Sequence, residues 1–339
     1  LFISDDGVFM KKKIAIIGAG ISGLVLAQNL KNDADVTVFE KARGVGGRMS
    51  TRYADPFYFD HGTQFFTART KPFQEFLKAF TDQGIITEWS GKIINLEIGK
   101  KETKRMWFEP HFVATPNMNS LCKKLAEGLD IKLSVEIAPI DQKDTDKWIL
   151  RDKEQNNLGN YDLVISTAPP AQTLKLLKKA LPNDTLFDQT SMQGCYALML
   201  GFNKPWDKKW IAAKVQNNPI KWIAINSSKP GRNKTVTSIV AHSCNDWAEQ
   251  HMDDNLEEAQ TFLVNQFEDV TGISTSNADY ISVHRWKYAI VEHTHNSGFY
   301  FDQYTGIAAT SDWASASRIE EVWLDAKKLA EKIISMPSA

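Results

Sequence analysis

Apolar residues fall in short blocks along this chain, and their spacing changes from block to block. Ile14 to Ile17 form an unbroken apolar run, followed by a glycine-punctuated stretch from Gly18 to Gly23. Leu24, Val25, Leu26, Ala27 and Leu30 come next, with Gln28, Asn29 and Lys31 placed to face water. The order reads as strand, tight turn and helix. "DADVTVFEKA" supplies a second strand through Val36, Val38 and Phe39, ending at Glu40. A helix is expected around Leu121 to Leu125, then strands at "IKLSVEI", "KWILR" and "DLVISTA". "YALMLGF", "WIAIN", "VTSIVAH" and "YISVHRWKYA" read as strands of a mostly antiparallel sheet. Towards the C-terminus, Ile307 to Thr310 suit a strand. From about Ser317, the residues Ile319, Val322, Trp323, Ala326, Leu329 and Ala330 recur at helical spacing.

The segment "KKKIAIIGAGISGLVLAQNL" also has the charged and apolar regions of a secretory signal. A signal must be dispensable to the mature fold. Here the apolar run passes directly into a polar helix face and a second strand, so the strand–turn–helix reading prevails. Gly18, Gly20 and Gly23 fit the G-x-G-x-x-G dinucleotide fingerprint, and Glu40 lies about 20 residues on, where a ribose-binding acid belongs. Gly18 allows the turn, Gly20 lets backbone approach a pyrophosphate, and Gly23 lets helix pack on strand. The free N–H groups of the helix start then face the phosphates.

Composition narrows the partners. The 339 residues carry a net charge of −1, so nothing favours nucleic acid or an anionic membrane surface. No apolar run approaches the roughly 18 residues of a spanning helix. Cys122, Cys195 and Cys244 are odd in number and far apart, which disfavours a disulfide framework or a thiolate metal site and suits a reducing cytoplasm. No H-E-x-x-H occurs, so no metal is expected. Residues 1–9 precede Met10 and are set aside as a tail.

Directly after Glu40 comes "KARGVGGRMSTR", in which Gly46, Gly47 and Arg48 match the G-G-R segment of flavoproteins of the amine-oxidase type. Near the C-terminus, Asp312 stands between a strand and a helix, the order that brings an aspartate to the ribityl chain of FAD. A helix N-terminus aimed at the flavin would favour negative charge there.

Longer blocks extend the likeness. "FDHGTQFFTAR" resembles the D-x-G-A-Q-Y-F-T-A-R block of renalase-type flavoproteins. "TPNMNSLCKKLA", "YDLVISTAPPAQTLKLL", the His242 and Trp247 spacing, and "VHRWKYA" resemble further blocks of that family, so the resemblance runs from Met10 almost to the C-terminus. It implies an α/β fold, with a Rossmann-like FAD-binding domain of the p-hydroxybenzoate-hydroxylase type and an interleaved α+β substrate domain of mostly antiparallel sheet. Residues 10–70, 113–172 and 296–337 would form the first domain, and residues 71–112 and 173–295 the second. The resemblance also implies non-covalent FAD that oxidises 1,2- and 1,6-dihydronicotinamide dinucleotides to NAD(P)+. Dioxygen would reoxidise the flavin and leave as hydrogen peroxide. Oligomeric state is not legible.

Cofactor contacts are accordingly expected from Gly18, Gly20, Ile21, Ser22, Gly23, Glu40, Lys41, Gly46, Gly47, Arg48, Met49, His61, Gly62, Gln64, Asp312, Arg318 and Ile319. His242, Arg285, Trp286 and Tyr288 are the candidates on the substrate side. Trp286 and Tyr288 offer stacking surfaces, Arg285 an anion partner, and His242 a donor to the carboxamide. Strand alternation turns His284 to the face opposite Arg285, outside this set. The chain departs from the family where glycines are usual, at Ser311, Ser317, Glu321 and Ala326. On that basis Ser311→Gly is expected to tighten FAD binding and Glu321→Gly to raise the flavin potential. Two other functions stay open: an FAD-dependent amine oxidase, and a degenerate flavin-binding or redox-sensing module.

Overall fold

The computed structural model describes residues 2–3, 9–181, 187, 190–294 and 298–336. The chain divides into two compact units, residues 1–47, 122–192 and 291–339 in the first and residues 48–121 and 193–290 in the second.

The first unit is built on a six-stranded sheet. Its strand order is Asp130–Leu133, Asp35–Glu40, Lys13–Ile17, Leu163–Ser166, Ile307–Ala309 and Tyr300–Asp302. Neighbours run parallel except for the edge strand Tyr300–Asp302, which is antiparallel to Ile307–Ala309. Central parallel strands are covered on both faces. That explains the unbroken apolar run, since Ile14, Ala15 and Ile16 are all buried. The helices Ile21–Leu30 and Ile319–Ile334 pack together in this unit. A three-stranded antiparallel sheet, Lys143–Asp144, Lys147–Arg151 and Asn157–Tyr161, joins the helix Pro170–Leu177 around a core containing Trp148, Leu150, Leu177 and Trp313. The strand expected over "IKLSVEI" stops at Leu133, because Ser134 takes the left-handed conformation, φ 58°, and ends the pairing.

In the second unit a seven-stranded sheet has the order Tyr280–His293, Ser191–Phe202, Thr237–Ser243, Ile220–Ile225, Ala212–Val215, Ile93–Leu96 and Thr103–Arg105. From Ser191–Phe202 onward the pairings are antiparallel, apart from the parallel pair Ala212–Val215 and Ile93–Leu96. Alternation along Ser191–Phe202 divides its side chains between two cores. Leu198 and Leu200 meet Leu263 and Phe267 of the helix Leu256–Thr271, whereas Ala197 and Met199 meet Phe57 and Phe59. That helix is closed at both ends by local chemistry. The Asn255 side chain accepts the Glu257 amide at 2.7 Å, and Gly272 takes the left-handed C-terminal position.

The compact units do not follow the partition expected from sequence. Residues 48–70 and 113–121 lie in the second unit, because the hairpin Arg52–Ala54 and Phe57–Phe59 seals one face of its sheet. Residues 173–192 lie in the first, where Leu176 and Leu177 complete the core. The expected boundary between 295 and 296 lies outside the described residues, as does most of the 1–9 tail. From that tail, Phe2–Ile3 pairs antiparallel with Phe9–Met10.

Candidate functional site

In the first unit the glycine turn is shaped by one left-handed residue and one close approach. Gly18 has φ 110°, and a Cβ on Gly23 would stand 2.0 Å from the Gly18 carbonyl oxygen. Only glycine fits the second position. Beside Gly20, by contrast, nothing lies within 4 Å of where a Cβ would sit, so the helix start opens onto free space. Gly20 caps the helix without a side-chain hydrogen bond, which leaves the amides of the first turn, at Ile21, Ser22 and Gly23, as donors for an anion. The Ser22 hydroxyl is buried with no partner. The second glycine cluster docks on the first, for the Gly46 amide donates to the Ala19 carbonyl at 2.9 Å and a Cβ on Gly47 would lie 3.4 Å from the Gly20 Cα. An open helix start, an orphaned hydroxyl and a double glycine cradle fit the diphosphate of a dinucleotide.

Glu40 is held by the same loop. Its two carboxylate oxygens accept the Ala19 and Ala42 amides, each at 2.8 Å. The acid is thereby aimed at the end of its strand with lone pairs left for ribose hydroxyls. Lys41 reaches Gln172 at 3.3 Å on the surface.

Around Asp312 the departures from glycine form a pattern. Ser311 Oγ donates to Asp312 Oδ1 at 3.2 Å, and Ser317 Oγ donates to Oδ2 at 3.1 Å. Ser311 is extended, φ −172°, a conformation open to any residue. Both serines thus hold the aspartate. Glu321 pairs with Arg318 across the first turn of the helix Ile319–Ile334, so its charge is compensated within one turn.

In the second unit the turn from Asp60 to Gln64 is the organising element. A Cβ on Gly62 would meet the Arg48 carbonyl oxygen at 2.0 Å, and the Thr63 amide donates to that same oxygen at 2.8 Å. The Arg48 guanidinium itself donates to the Ala289 carbonyl, while Met49 is buried. His242 Nε2 and Trp286 Nε1 converge on the His61 carbonyl, each at 3.0 Å. A carbonyl only accepts, so His242 carries its proton on Nε2 and Nδ1 becomes an acceptor. The donor role expected for this ring is thereby reversed. The His61 ring stacks on Trp286, with centroids 5.1 Å apart, and meets His284 edge-on at 4.9 Å. His284 also touches Trp286 directly, at 4.4 Å.

Alternation along Tyr280–His293 does place His284 opposite Arg285, but it also places His284 beside Trp286. Arg285 is the residue that leaves the group. Its guanidinium donates to the Asp254 carbonyl at 2.8 Å and to the Tyr196 hydroxyl at 3.3 Å. Tyr288 is half-buried and shares the parity of Trp286. Gln64 is spent on its own turn, donating to the Asp60 and Gly62 carbonyls.

Electrostatics set this cluster apart. Burial, with His284 and Arg52 adding positive charge, lowers the His61 pKa to about 3. Burial and Arg52 bring His284 to about 4, and burial brings His242 to about 4. All three rings are neutral at physiological pH. Sequence reasoning passed over Arg52 and the ions behind the turn, Asp60, Lys229 and Arg232. These three are essentially fully buried, and Asp60 Oδ2 lies 2.6 Å from Arg232 and 3.1 Å from Lys229. Burial opposes the charge on Asp60, but Lys229 and Arg232 outweigh it and hold the carboxyl well below its ordinary value. A buried charge needs a partner distant in sequence, and no local spacing announces one.

Among the described residues no cluster suits a metal ion, and no helix is long and apolar enough to cross a membrane. A family model for NAD(P)-binding Rossmann-like domains matches residues 16–80, and one for flavin containing amine oxidoreductases matches residues 95–318. A 4,4'-diapophytoene desaturase of Staphylococcus aureus is 49% identical over 51 residues, which is 15% of this chain and 10% of that protein. Cyclohexylamine oxidase from Brevibacterium oxydans shares the fold at TM-score 0.75 and 12% identity, over 96% of this chain and 99% of its own. Putrescine oxidase with putrescine bound does so at 0.75 and 12%, over 96% and 100%.

Proposed function

On the premise that this chain belongs to the flavin-containing amine oxidoreductase family and takes FAD as its cofactor, we propose that it is a renalase-type oxidase. Its substrates are 1,2- and 1,6-dihydronicotinamide dinucleotides, its product is NAD(P)+, and the flavin is bound without a covalent link. When bound, FAD would supply the hydride acceptor, with dioxygen as the terminal acceptor of the electron pair and hydrogen peroxide as its product.

One observation carries the choice of substrate. The ring cluster of the second unit combines neutral histidines with the positive charge of Arg52, and a surplus cation lies behind its turn. Such surroundings repel an alkylammonium and suit a neutral dihydropyridine joined to an anionic pyrophosphate. The protein's own residues then bind and orient. In the first unit, the amides of Ile21 to Gly23, the Ser22 hydroxyl and Glu40 would hold the cofactor's diphosphate and ribose. In the second, His242 would accept an N–H of the carboxamide at Nδ1, while Trp286, packed against the His284 ring, presents the apolar surface that excludes water.

Anaerobic stopped-flow spectra test the assignment. The 1,2- and 1,6-dihydro isomers should bleach the flavin rapidly, and ordinary 1,4-NADH and amines slowly. Trp286→Ala should slow bleaching by on the order of 100-fold, the cost of about 1 Å of misplacement, with FAD still bound. Bleaching by amines with no response to the isomers would overturn the proposal in favour of an amine oxidase.

A further inference from the structure

We propose that Lys229 is a positioning residue for His242 and Trp286. It acts through Gln64, which clamps the turn whose His61 carbonyl carries both rings. The inference rests on the functional reading above and adds a residue that no motif in the chain marks.

The observation that demands explanation is a charge imbalance. Asp60 is already satisfied without Lys229. Its Oδ2 receives Arg232, and its Oδ1 accepts the Met118 amide at 2.9 Å and the Thr51 hydroxyl at 2.8 Å. One carboxylate and one guanidinium would balance. Lys229 adds a second cation at 0% exposure, and burial lowers its pKa to about 8 against the pull of Asp60. Stability alone favours an apolar side chain of similar volume at such a place. The ammonium therefore has another use, and its remaining contact identifies that use. Lys229 Nζ donates to Gln64 Oε1 at 3.4 Å, and its other near neighbour is the Trp89 ring, 5.4 Å from Nζ.

With its oxygen held by Lys229, the Gln64 amide turns its N–H groups inward to the Asp60 and Gly62 carbonyls. Those two carbonyls belong to the peptides on either side of the His61–Gly62 peptide. Fixing both fixes the direction of the His61 carbonyl, and hence the point on which His242 Nε2 and Trp286 Nε1 meet. The chain of contacts runs from a buried ammonium to the tautomer of a histidine without leaving the second unit. Arg232 anchors the far side of the same node, donating to the Ala114 and Pro230 carbonyls at 2.6 and 2.9 Å.

Two variants of the full-length, FAD-loaded protein test this. Lys229→Met keeps the volume and leaves Asp60 and Arg232 balanced. Gln64→Glu keeps a partner for Lys229 but cannot donate to the two carbonyls. Imidazole nitrogen NMR of the resting protein should show His242 as a single Nε2–H tautomer, and each variant should show a mixture. The rate of flavin bleaching by 1,2- and 1,6-dihydro-NAD should fall by roughly 10- to 100-fold, while the melting temperature of Lys229→Met stays level or rises. If Lys229→Met does not fold, Gln64→Glu decides alone. A single tautomer at the wild-type rate in the folded variants would overturn the proposal and leave the cluster a purely structural one. The tautomer is read without substrate, so failure of the dihydronicotinamide assignment would leave this result standing, and the converse also holds.

Discussion

Asp312 shows how single residues change meaning once their neighbours are known. From sequence, Ser311 and Ser317 read as glycines lost, and Ser311→Gly is expected to tighten FAD binding. In the fold both hydroxyls hydrogen-bond the Asp312 carboxylate, and the extended backbone at Ser311 has no need of glycine. The expected sign is therefore reversed. Ser311→Gly and Ser317→Gly should each weaken FAD binding by roughly 5-fold, the equivalent of one net hydrogen bond of about 1 kcal/mol. Quenching of flavin fluorescence on titration into apoprotein measures this, and tighter binding in either variant would contradict it. Glu321 is similar, since its pairing with Arg318 removes the unbalanced charge on which a large effect on flavin potential would depend.

The helix Ile319–Ile334 carries its apolar stripe where the periodicity predicts it, with Val322, Trp323, Ala326, Leu329 and Ala330 all buried and only Ile319, at its first turn, half-buried. Periodicity does not show that Asp325 is buried on the same stripe, with Oδ2 lacking a partner. Burial raises its pKa from 3.8 to about 6, against a hydrogen bond from Ser315 and the charge of Lys328. The folded chain thus holds this proton more tightly than the unfolded chain. Its contribution is fully present below pH 3.8 and is lost as the pH rises through 6. After allowance for solvent screening, Asp325→Asn should raise stability above roughly pH 7 by about 1–2 kcal/mol. Near pH 4 it should change little. Denaturant melts at the two pH values test the difference. An equal effect at both would show that the carboxyl is not strained by burial.

At the scale of the whole molecule the two units carry opposite pH dependences. His61, His242 and His284 of the second unit are all depressed below 6.5. Their contribution is complete above pH 6.5 and is lost as the pH falls toward 4, because the unfolded chain takes up protons that the folded rings refuse. Asp325 of the first unit gains over much of the same range. Acidification to roughly pH 5 should therefore loosen the second unit first. Hydrogen exchange should rise in the strand Thr237–Ser243 while the strand Leu163–Ser166 stays protected. Simultaneous loss of protection in both would show that the units unfold as one.

By itself the sequence determined whatever depends on neighbours a few residues apart. The glycine fingerprint at Gly18 to Gly23, the acid at Glu40, the run Lys147–Arg151 and the last helix all sit where local spacing puts them, because turn sterics and side-chain periodicity act over one or two turns of chain. The tertiary structure alone decided which of the alternating faces of Tyr280–His293 meets the His61 turn. It thereby brought in His284 and removed Arg285. It also decided that Lys229 and Arg232, 169 and 172 residues from Asp60, share its carboxylate. Burial and charge compensation are properties of the assembled interior. No stretch of sequence carries them until the chain has closed around it.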